Sequence, residues 1–359
     1  MGCGFLHQQA ILGDNMDRIN LGKTELKVSP LGMGSIQITR LPWEKSIRVV
    51  KEVYDLGVNW FDTAQGYLDS ELRLGEAFRG IRDQVIIITK SGAKDVVTLT
   101  THIEASLKRL QTDYIDIFFI HGGSAVDEKN FAGKNGMMEA AMGFVQAGKI
   151  RYLGFSAHRP EVALRALEFG QFTVSMVPAN YINREYIDAE FMNKARKRGV
   201  AVIAMKPLGG GRIQSAGPSV RFLKTYGDLL PCIGIEKAGE MEENIHHWQD
   251  SREFSKDDRA ILEAEKALLG DKFCRLCSYC LPCPEDIPIP TVNFLKVFSK
   301  QMPRDRVITE EHTDAVTKAA DCTECRQCVE RCPYDLEIPD MLRENIEFYN
   351  QFSGLSASS

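Results

Sequence analysis

Cysteine placement restricts this chain more than any other feature of its sequence. Eight of its 10 cysteines form two runs of four whose last member precedes proline: Cys274, Cys277, Cys280 and Cys283, then Cys322, Cys325, Cys328 and Cys332. Three thiolates at three-residue steps can wrap around one face of an iron–sulfur cubane, while the cysteine before proline ligates the other cluster. The spacing therefore predicts two 4Fe-4S clusters rather than a disulfide framework, which suits short secreted chains.

The predicted ligands are exchanged between the two runs. One cluster takes Cys274, Cys277, Cys280 and Cys332, and the other takes Cys322, Cys325, Cys328 and Cys283. Cys283 departs from the usual spacing, because two residues rather than three separate it from Cys280. Two structural zinc sites are the alternative, since four thiolates also satisfy Zn²⁺, although zinc motifs usually pair two Cys-x-x-Cys units across a longer loop.

The sequence changes character near residue 270, which predicts a second domain over residues 270–359. Within it, CPEDIPIPTV at Cys283 is repeated as CPYDLEIPDM at Cys332. Pro290 and Pro339 suit first helical positions, where a missing N–H costs no hydrogen bond. We expect a small helical domain made of two similar halves.

Residues 17–269 alternate short apolar runs with amphipathic stretches, after an amino-terminal extension over residues 1–16. Predicted strands cover 31–35, 59–64, 85–90, 114–121, 150–156, 174–180, 200–207 and 229–235. Predicted helices cover 44–56, 71–78, 100–110, 136–147, 160–169, 189–198 and 239–250. Eight apolar strands alternating with helices predict an α/β fold, a (β/α)8 TIM barrel. A doubly wound sheet is the alternative, disfavoured because no Gly-x-Gly-x-x-Gly follows the first strand. Residues 18–28 are a candidate hairpin at the barrel floor.

Charge and hydropathy exclude several classes of partner. The formal net charge is -5 and the isoelectric point is about 5.9, without the basic excess of a nucleic-acid-binding protein. Apolar runs are far shorter than the roughly 18 residues of a membrane span. The amino terminus lacks a basic stretch leading into an apolar run, so we expect a cytoplasmic protein.

Four polar residues stand at or just after the ends of predicted strands: Asp62, Tyr67, Lys90 and His121. In a barrel, chemistry takes place where the strands end. A lysine ammonium stabilises tyrosinate and lowers the tyrosine pKa, while aspartate can hold the lysine in place. Each residue alone has an ordinary structural explanation, but all four together predict a proton-transfer site.

The barrel segments FDTAQGYLDSE, ITKSG, ASLKRLQTDYIDIFFIH, IRYLGFSAH and MKPLGGG resemble an aldo-keto reductase. With its cysteine tail the chain resembles the ferredoxin-like subgroup of that family. The resemblance implies that Tyr67 is the general acid that protonates a carbonyl while NAD(P)H delivers hydride. It also implies that Lys90 and Asp62 tune Tyr67 and that His121 orients the carbonyl.

The resemblance further implies that NADP or NAD binds at the strand ends. Ser156 matches a nicotinamide contact, although Ala157 and Met176 replace the family's frequent Asn and Gln. The glycine run would let backbone approach the pyrophosphate, while Glu243 and Asn244 match adenine contacts. The full predicted set is Ser156, Lys206, Pro207, Leu208, Gly209, Gly210, Gly211, Lys237, Glu243 and Asn244.

Nucleotide choice is predicted from the stretch GIEKAGEMEEN over residues 234–244. Lys237 is its only basic residue, and Glu240 stands where the family often has arginine. Glu236 adds a second carboxylate, and like charges near a 2'-phosphate disfavour its binding. We expect NADH to compete better than is usual in this family, unless Lys237 alone holds the phosphate while both glutamates face solvent.

The sequence therefore predicts an NAD(P)H-dependent oxidoreductase acting on a small-molecule carbonyl, with a redox partner protein as a further possibility. The alternative is an electron-transfer or redox-sensing subunit whose barrel binds nucleotide without useful turnover. Trp43 and the loop 122–135 are candidates to line the substrate pocket.

Overall fold

A computed structural model describes residues 16–121, 136–158, 160–184, 186–187, 190–270, 274, 280–300, 302–332 and 336–354. Its central feature is a closed barrel of eight parallel strands in which each strand pairs with its sequence neighbours. The barrel strands are β3 (Gly32–Gly34), β4 (Trp60–Asp62), β5 (Ile86–Ser91), β6 (Ile115–His121), β7 (Ile150–Ser156), β8 (Phe172–Pro178), β9 (Ala201–Met205) and β10 (Leu229–Gly234). Pairing of β10 with β3 closes the ring. The predicted barrel is confirmed and the doubly wound sheet is excluded.

A short antiparallel hairpin precedes the barrel, formed by β1 (Ile19–Asn20) and β2 (Lys27–Val28). Its apolar residues Leu21, Leu26 and Val28 belong to the same buried cluster as Trp60 inside the barrel. The Trp60 indole N–H donates to the Ser29 carbonyl at 2.9 Å. The hairpin therefore caps the inner core, as the sequence predicted.

Helices alternate with the strands on the outside of the barrel. They are α1 (Trp43–Asp55), α2 (Ser70–Ala77), α3 (Val96–Arg109), α4 (Met137–Gln146), α5 (Pro160–Ala166), α6 (Glu190–Arg198), α7 (Ala216–Lys224), α8 (Ala238–Gln249) and α9 (Lys256–Gly270). The predicted list lacked α7 and α9. Helix α7 carries Gly217 and Pro218 in its first turn and a buried Arg221, so its sequence does not show a simple apolar face.

Burial on both faces explains why the strands are so apolar. One buried cluster fills the space between strands and helices, and another fills the barrel interior. A side chain at Gly32 would lie 2.1 Å from the Trp60 ring, so only glycine lets this strand pass the indole.

The cysteine domain is helical. Its helices are α10 (Ile289–Phe298), α11 (Arg304–Val307), α12 (Glu310–Ala320), α13 (Gln327–Glu330) and α14 (Ile338–Ser353). Both α10 and α14 have proline in their first turn, at the second helical residue rather than at the predicted first one. Across the described ranges, no helix is long and apolar enough to cross a membrane.

Candidate active site

The barrel strands bring the four predicted residues to one cavity of about 280 Å³. Asp62, Lys90 and His121 lie at the ends of β4, β5 and β6, while Tyr67 lies in the loop after β4. The Lys90 ammonium is 2.5 Å from Asp62 Oδ1 and donates to the Thr63 carbonyl at 2.7 Å. It also lies 5.0 Å from the centre of the Tyr67 ring. The ammonium thus stands between a carboxylate and a phenol.

Burial keeps the Tyr67 hydroxyl protonated. Burial raises the pKa of Tyr67, and Lys90 opposes this increase through its charge and a hydrogen bond, while Asp62 adds to it. The Tyr67 pKa therefore lies above its ordinary value, whereas the sequence predicted a lowered one. Lys90 has the predicted effect, but burial outweighs it.

Lys90 remains an ammonium despite its burial. Burial lowers the Lys90 pKa, but Asp62 and Tyr67 together outweigh burial, so the pKa lies above its ordinary value. Burial raises the Asp62 pKa, and Lys90 opposes this increase through its charge and its hydrogen bond. The charge of Asp62 and its hydrogen bond to Lys90 offset the cost of burying the ammonium. Lys90 therefore keeps a fixed positive charge beside the Tyr67 hydroxyl.

His121 is a neutral imidazole at the cavity wall. Burial, followed by the charges of Lys90 and Lys206, lowers its pKa to about 4. Its Nδ1 lies 3.0 Å from the Ser156 hydroxyl, so Ser156 fixes the orientation of the ring. The sequence assigned Ser156 to the nicotinamide amide, and within the protein its hydroxyl contacts His121.

Sequence reasoning missed His158, which also lines the cavity. Its ring centre lies 6.3 Å from that of His121. The residue is exposed at the cavity. Desolvation of the imidazole by the protein around it, followed by the charge of Lys206, lowers its pKa to about 3. Its position two residues after Ser156 was the available signal, since alternate residues of a strand face the same side.

The predicted nucleotide loop after β9 lines the same cavity through Lys206, Pro207, Leu208, Gly210 and Gly211. The three glycines of the loop have φ angles of 60, 69 and 85°, a region that glycine adopts without strain. Burial lowers the pKa of Lys206, and no carboxylate pairs with its ammonium among the described residues. Open backbone beside an unpaired cation suits the pyrophosphate of a nucleotide.

The start of α8 contains a carboxylate where the sequence placed the nucleotide's adenosine end. Glu240 accepts the N–H groups of Glu236 and Lys237 at 2.8 and 3.3 Å. Arg40 forms an ion pair with Glu236, and Lys237 is exposed. Acidic side chains therefore bind both the helix N-terminus and the nearest arginine.

The two predicted adenine contacts differ in their surroundings. Asn244 is buried, and its amide donates to the Glu240 carbonyl at 2.6 Å. Its Oδ1 has no hydrogen-bond partner among the residues that the structure describes. Glu243 is exposed. Neither residue lines the cavity, so the structure does not bring them together with Asp62, Tyr67, Lys90 and His121.

Two candidate substrate contacts were also named from sequence. Trp43 does not line the cavity, and its ring lies 5.4 Å from the Arg73 guanidinium. The loop 122–135 lies outside the described residues. Cys232, in the second half of β10, lines the cavity instead.

Four cysteines line a separate pocket in the helical domain: Cys283, Cys322, Cys325 and Cys328. This is the exchanged set predicted for one cluster, and it includes Cys283 despite its unusual spacing. Cys280 and Cys332, predicted for the other cluster, are buried in one apolar group that Cys274 adjoins, while Cys277 lies outside the described residues. In the described segments, no three His, Cys, Asp or Glu side chains are grouped closely enough to hold a metal ion.

Comparison with known proteins identifies the family to which the chain belongs. The profile of the aldo/keto reductase family matches residues 30–222, more than half of the chain, and that of a 4Fe-4S dicluster domain matches residues 273–337. The chain belongs to the aldo/keto reductase family and carries a carboxyl-terminal 4Fe-4S dicluster domain. Residues 234–244 lie beyond the first match.

Individual relatives are distant. AAD14 of Saccharomyces cerevisiae, named as an aryl-alcohol dehydrogenase, is 29% identical over 264 residues, covering 63% of this chain and 68% of its own length. The uncharacterized oxidoreductase YqkF of Bacillus subtilis is 27% identical over 210 residues, covering 55% and 66%. The solved aldo-keto reductase AKR11C1 from Bacillus halodurans matches with a TM-score of 0.61 and 22% identity, covering 70% of this chain and 96% of its own. This last likeness shows the fold alone.

Proposed function

We propose that the protein is an NAD(P)H-dependent reductase of small aldehydes or ketones, in which Tyr67 is the general acid. The observation that carries the proposal is the Lys90 ammonium between Asp62 and Tyr67, at the wall of a cavity that His121 also lines. Membership of the aldo/keto reductase family supports the reaction class. The reverse reaction, oxidation of the alcohol, uses the same groups.

Bound reduced nicotinamide supplies the hydride for the carbonyl carbon. Tyr67 gives its proton to the carbonyl oxygen, because its raised pKa keeps the hydroxyl protonated near neutral pH. Lys90 then stabilises the tyrosinate that remains, and Asp62 holds Lys90 in place. Neutral His121, oriented by Ser156, provides a ring nitrogen that binds the carbonyl oxygen.

The nucleotide binds along β9 and the loop that follows it. Lys206 and the backbone of Gly210 and Gly211 take the pyrophosphate, while the buried unpaired Oδ1 of Asn244 offers an acceptor to the adenine amino group. Glu240 and Glu236 disfavour a 2'-phosphate, since Glu240 already accepts two N–H groups at the start of α8. NADH is therefore more competitive than is usual for the family.

The substrate is a small carbonyl compound with an apolar body. Met176, Met205 and Leu208 line the cavity beside the two histidines. The yeast relative's name concerns aryl alcohols, so aromatic aldehydes are the first compounds to test.

The cysteine domain holds two 4Fe-4S clusters with the exchanged ligand sets.

The test uses the anaerobically purified protein with NADPH or NADH and a panel of aromatic and aliphatic aldehydes. Loss of nicotinamide absorbance in step with alcohol formation would support the reductase. Tight nucleotide binding without turnover across the panel would contradict it and favour a redox-sensing subunit.

A further inference from the structure

The glycine loop after β9 is held at both of its ends by side chains from other parts of the fold. At its start, the Asn180 amide donates to the Lys206 carbonyl at 2.9 Å. At its end, the backbone N–H groups of Gln214 and Ser215 donate to one carboxylate oxygen of Glu265, at 2.9 and 3.1 Å. Glu265 belongs to α9, so this helix fixes the end of the loop.

The contacts continue from Glu265 to the wall of the cavity. The side-chain amide of Gln214 donates to the Gly211 carbonyl at 2.9 Å, and Gly211 lines the cavity. The Gly211 N–H in turn donates to the Leu208 carbonyl at 2.9 Å. Glu265 therefore holds the residue that contacts the backbone proposed to take the pyrophosphate.

The loop has a conformation that requires such support. Lys206 has a φ angle of 56°, in a region that a residue other than glycine keeps only where its surroundings hold it there. Gly209, Gly210 and Gly211 also have positive φ angles, and a free loop of glycines would adopt many other conformations. A loop already held in its binding conformation binds more tightly, because less ordering remains to be done when the ligand arrives.

Helix α9 is attached to the barrel by contacts that do not involve Glu265. Asp258 pairs with Arg221 of α7, and Glu263 accepts the Tyr181 hydroxyl at 2.6 Å. The two N–H groups that Glu265 accepts belong instead to the end of the loop. Loss of the Glu265 carboxylate should therefore loosen the loop without detaching the helix.

We propose that Glu265 is a positioning residue for the nucleotide, and that its carboxylate holds the glycine loop in the conformation that binds the pyrophosphate. The inference rests on the proposed nucleotide site. It makes α9, the helix that joins the barrel to the cysteine domain in sequence, a determinant of nucleotide affinity. Because Glu265 does not line the cavity, it acts on binding and not on the transfer of hydride.

The experiment measures the dissociation constant of ADP-ribose by calorimetry on the full-length protein. ADP-ribose contains the pyrophosphate but no nicotinamide, so the measurement is independent of turnover. Glu265→Ala removes the acceptor of both N–H groups and should weaken binding about tenfold, as expected for the loss of hydrogen bonds to a charged group. Glu265→Gln keeps an oxygen that accepts both groups but lacks the charge, so it should weaken binding about threefold.

A kinetic measurement separates positioning from a general structural effect. In both Glu265 variants the KM for reduced nucleotide should rise with the dissociation constant. The single-turnover rate of hydride transfer at saturating nucleotide should stay at the wild-type value. Glu263→Gln is the matched control, because it makes the same chemical change two residues earlier on α9, at the Tyr181 contact. It should leave the affinity for ADP-ribose unchanged.

Several results would overturn the proposal. Wild-type affinity for ADP-ribose in both Glu265 variants would refute the role of Glu265 and leave the proposed function intact. An equal loss of affinity in Glu263→Gln would show that attachment of α9, rather than Glu265, sets the affinity. A slower single-turnover step would also contradict a role confined to binding. Failure of the wild-type protein to bind ADP-ribose would refute the nucleotide site itself, and with it the proposed function.

Discussion

The barrel and the cysteine domain build their cores differently. The barrel packs two extensive apolar clusters, one inside the ring of strands and one beneath the helices. The main core of the cysteine domain is much smaller, and three of its buried members are Cys280, Cys328 and Cys332. Apolar burial alone can hold the barrel together, whereas a small core whose thiols are predicted ligands depends on metal binding. The comparison teaches that the barrel should fold without the clusters, whereas the cysteine domain should not.

The largest expected effect concerns the barrel alone. Tyr67→Phe removes the proposed proton donor, so carbonyl reduction should fall by roughly 10² to 10⁴ while nucleotide affinity is retained. Steady-state kinetics and nucleotide titration measure the two quantities. Tyr54→Phe is the control, because its hydroxyl bonds Gln84 away from the cavity. Turnover near that of the wild type in Tyr67→Phe would remove the mechanism.

A buried ion pair tests the stability of the barrel independently of the clusters. Arg221 of α7 bonds Asp258 of α9, and both side chains are less than 10% exposed. Asp258→Asn removes the carboxylate that bonds the buried guanidinium and leaves only Asp250, at 3.8 Å, as its counter-charge, so the free energy of unfolding should fall by about 3 kcal/mol. Asp257→Asn makes the same change at an exposed neighbouring position and should have little effect.

The same pair gives a pH dependence. Hydrogen bonding to Arg221 lowers the Asp258 pKa from 3.8 to about 2, so the folded state binds fewer protons than the unfolded state. Its stabilisation is present above the unfolded value and is lost as the pH falls from about 4 to about 2. Denaturant titrations across that range should show a shallower loss for Asp258→Asn. Identical slopes in the two proteins would contradict the assignment.

Nucleotide choice gives a smaller effect. At the start of α8 the Glu240 carboxylate accepts a backbone N–H and Glu236 pairs with Arg40, so acidic groups lie where a 2'-phosphate would bind. We expect the dissociation constants of NADPH and NADH, measured at one salt concentration, to differ by much less than a hundredfold, which is about 2.7 kcal/mol. A hundredfold preference for NADPH would contradict this interpretation of the helix start.

The smallest effect on turnover is expected in the cysteine domain. Cys325→Ser should lower the iron content from about eight to about four atoms per chain and destabilise that domain, while carbonyl reduction remains measurable. Iron analysis and aldehyde turnover on one preparation make the comparison. If turnover vanishes while circular dichroism shows an intact barrel, the clusters belong to the reaction path.

The site residues at the strand ends could be predicted from sequence, because each one follows an apolar run that is recognisable locally. Asp62, Lys90 and His121 terminate apolar runs, and parallel strands place all such ends on one face of a barrel. The pairing of Arg40 with Glu236 could not be predicted, because nearly 200 residues separate them along the chain. The raised pKa of Tyr67 also escaped prediction, since the extent of its burial depends on the packed cavity rather than on its neighbours in sequence.

The separation of the two regions is tested most directly by isotope transfer from a reduced nicotinamide nucleotide that carries deuterium at both positions of its reactive carbon. Direct hydride transfer in the barrel predicts an alcohol with one deuterium at the former carbonyl carbon, in both the wild type and Cys325→Ser. Electrons routed through one-electron clusters would instead deliver that hydrogen from water. An unlabelled alcohol from the wild-type protein would contradict the account.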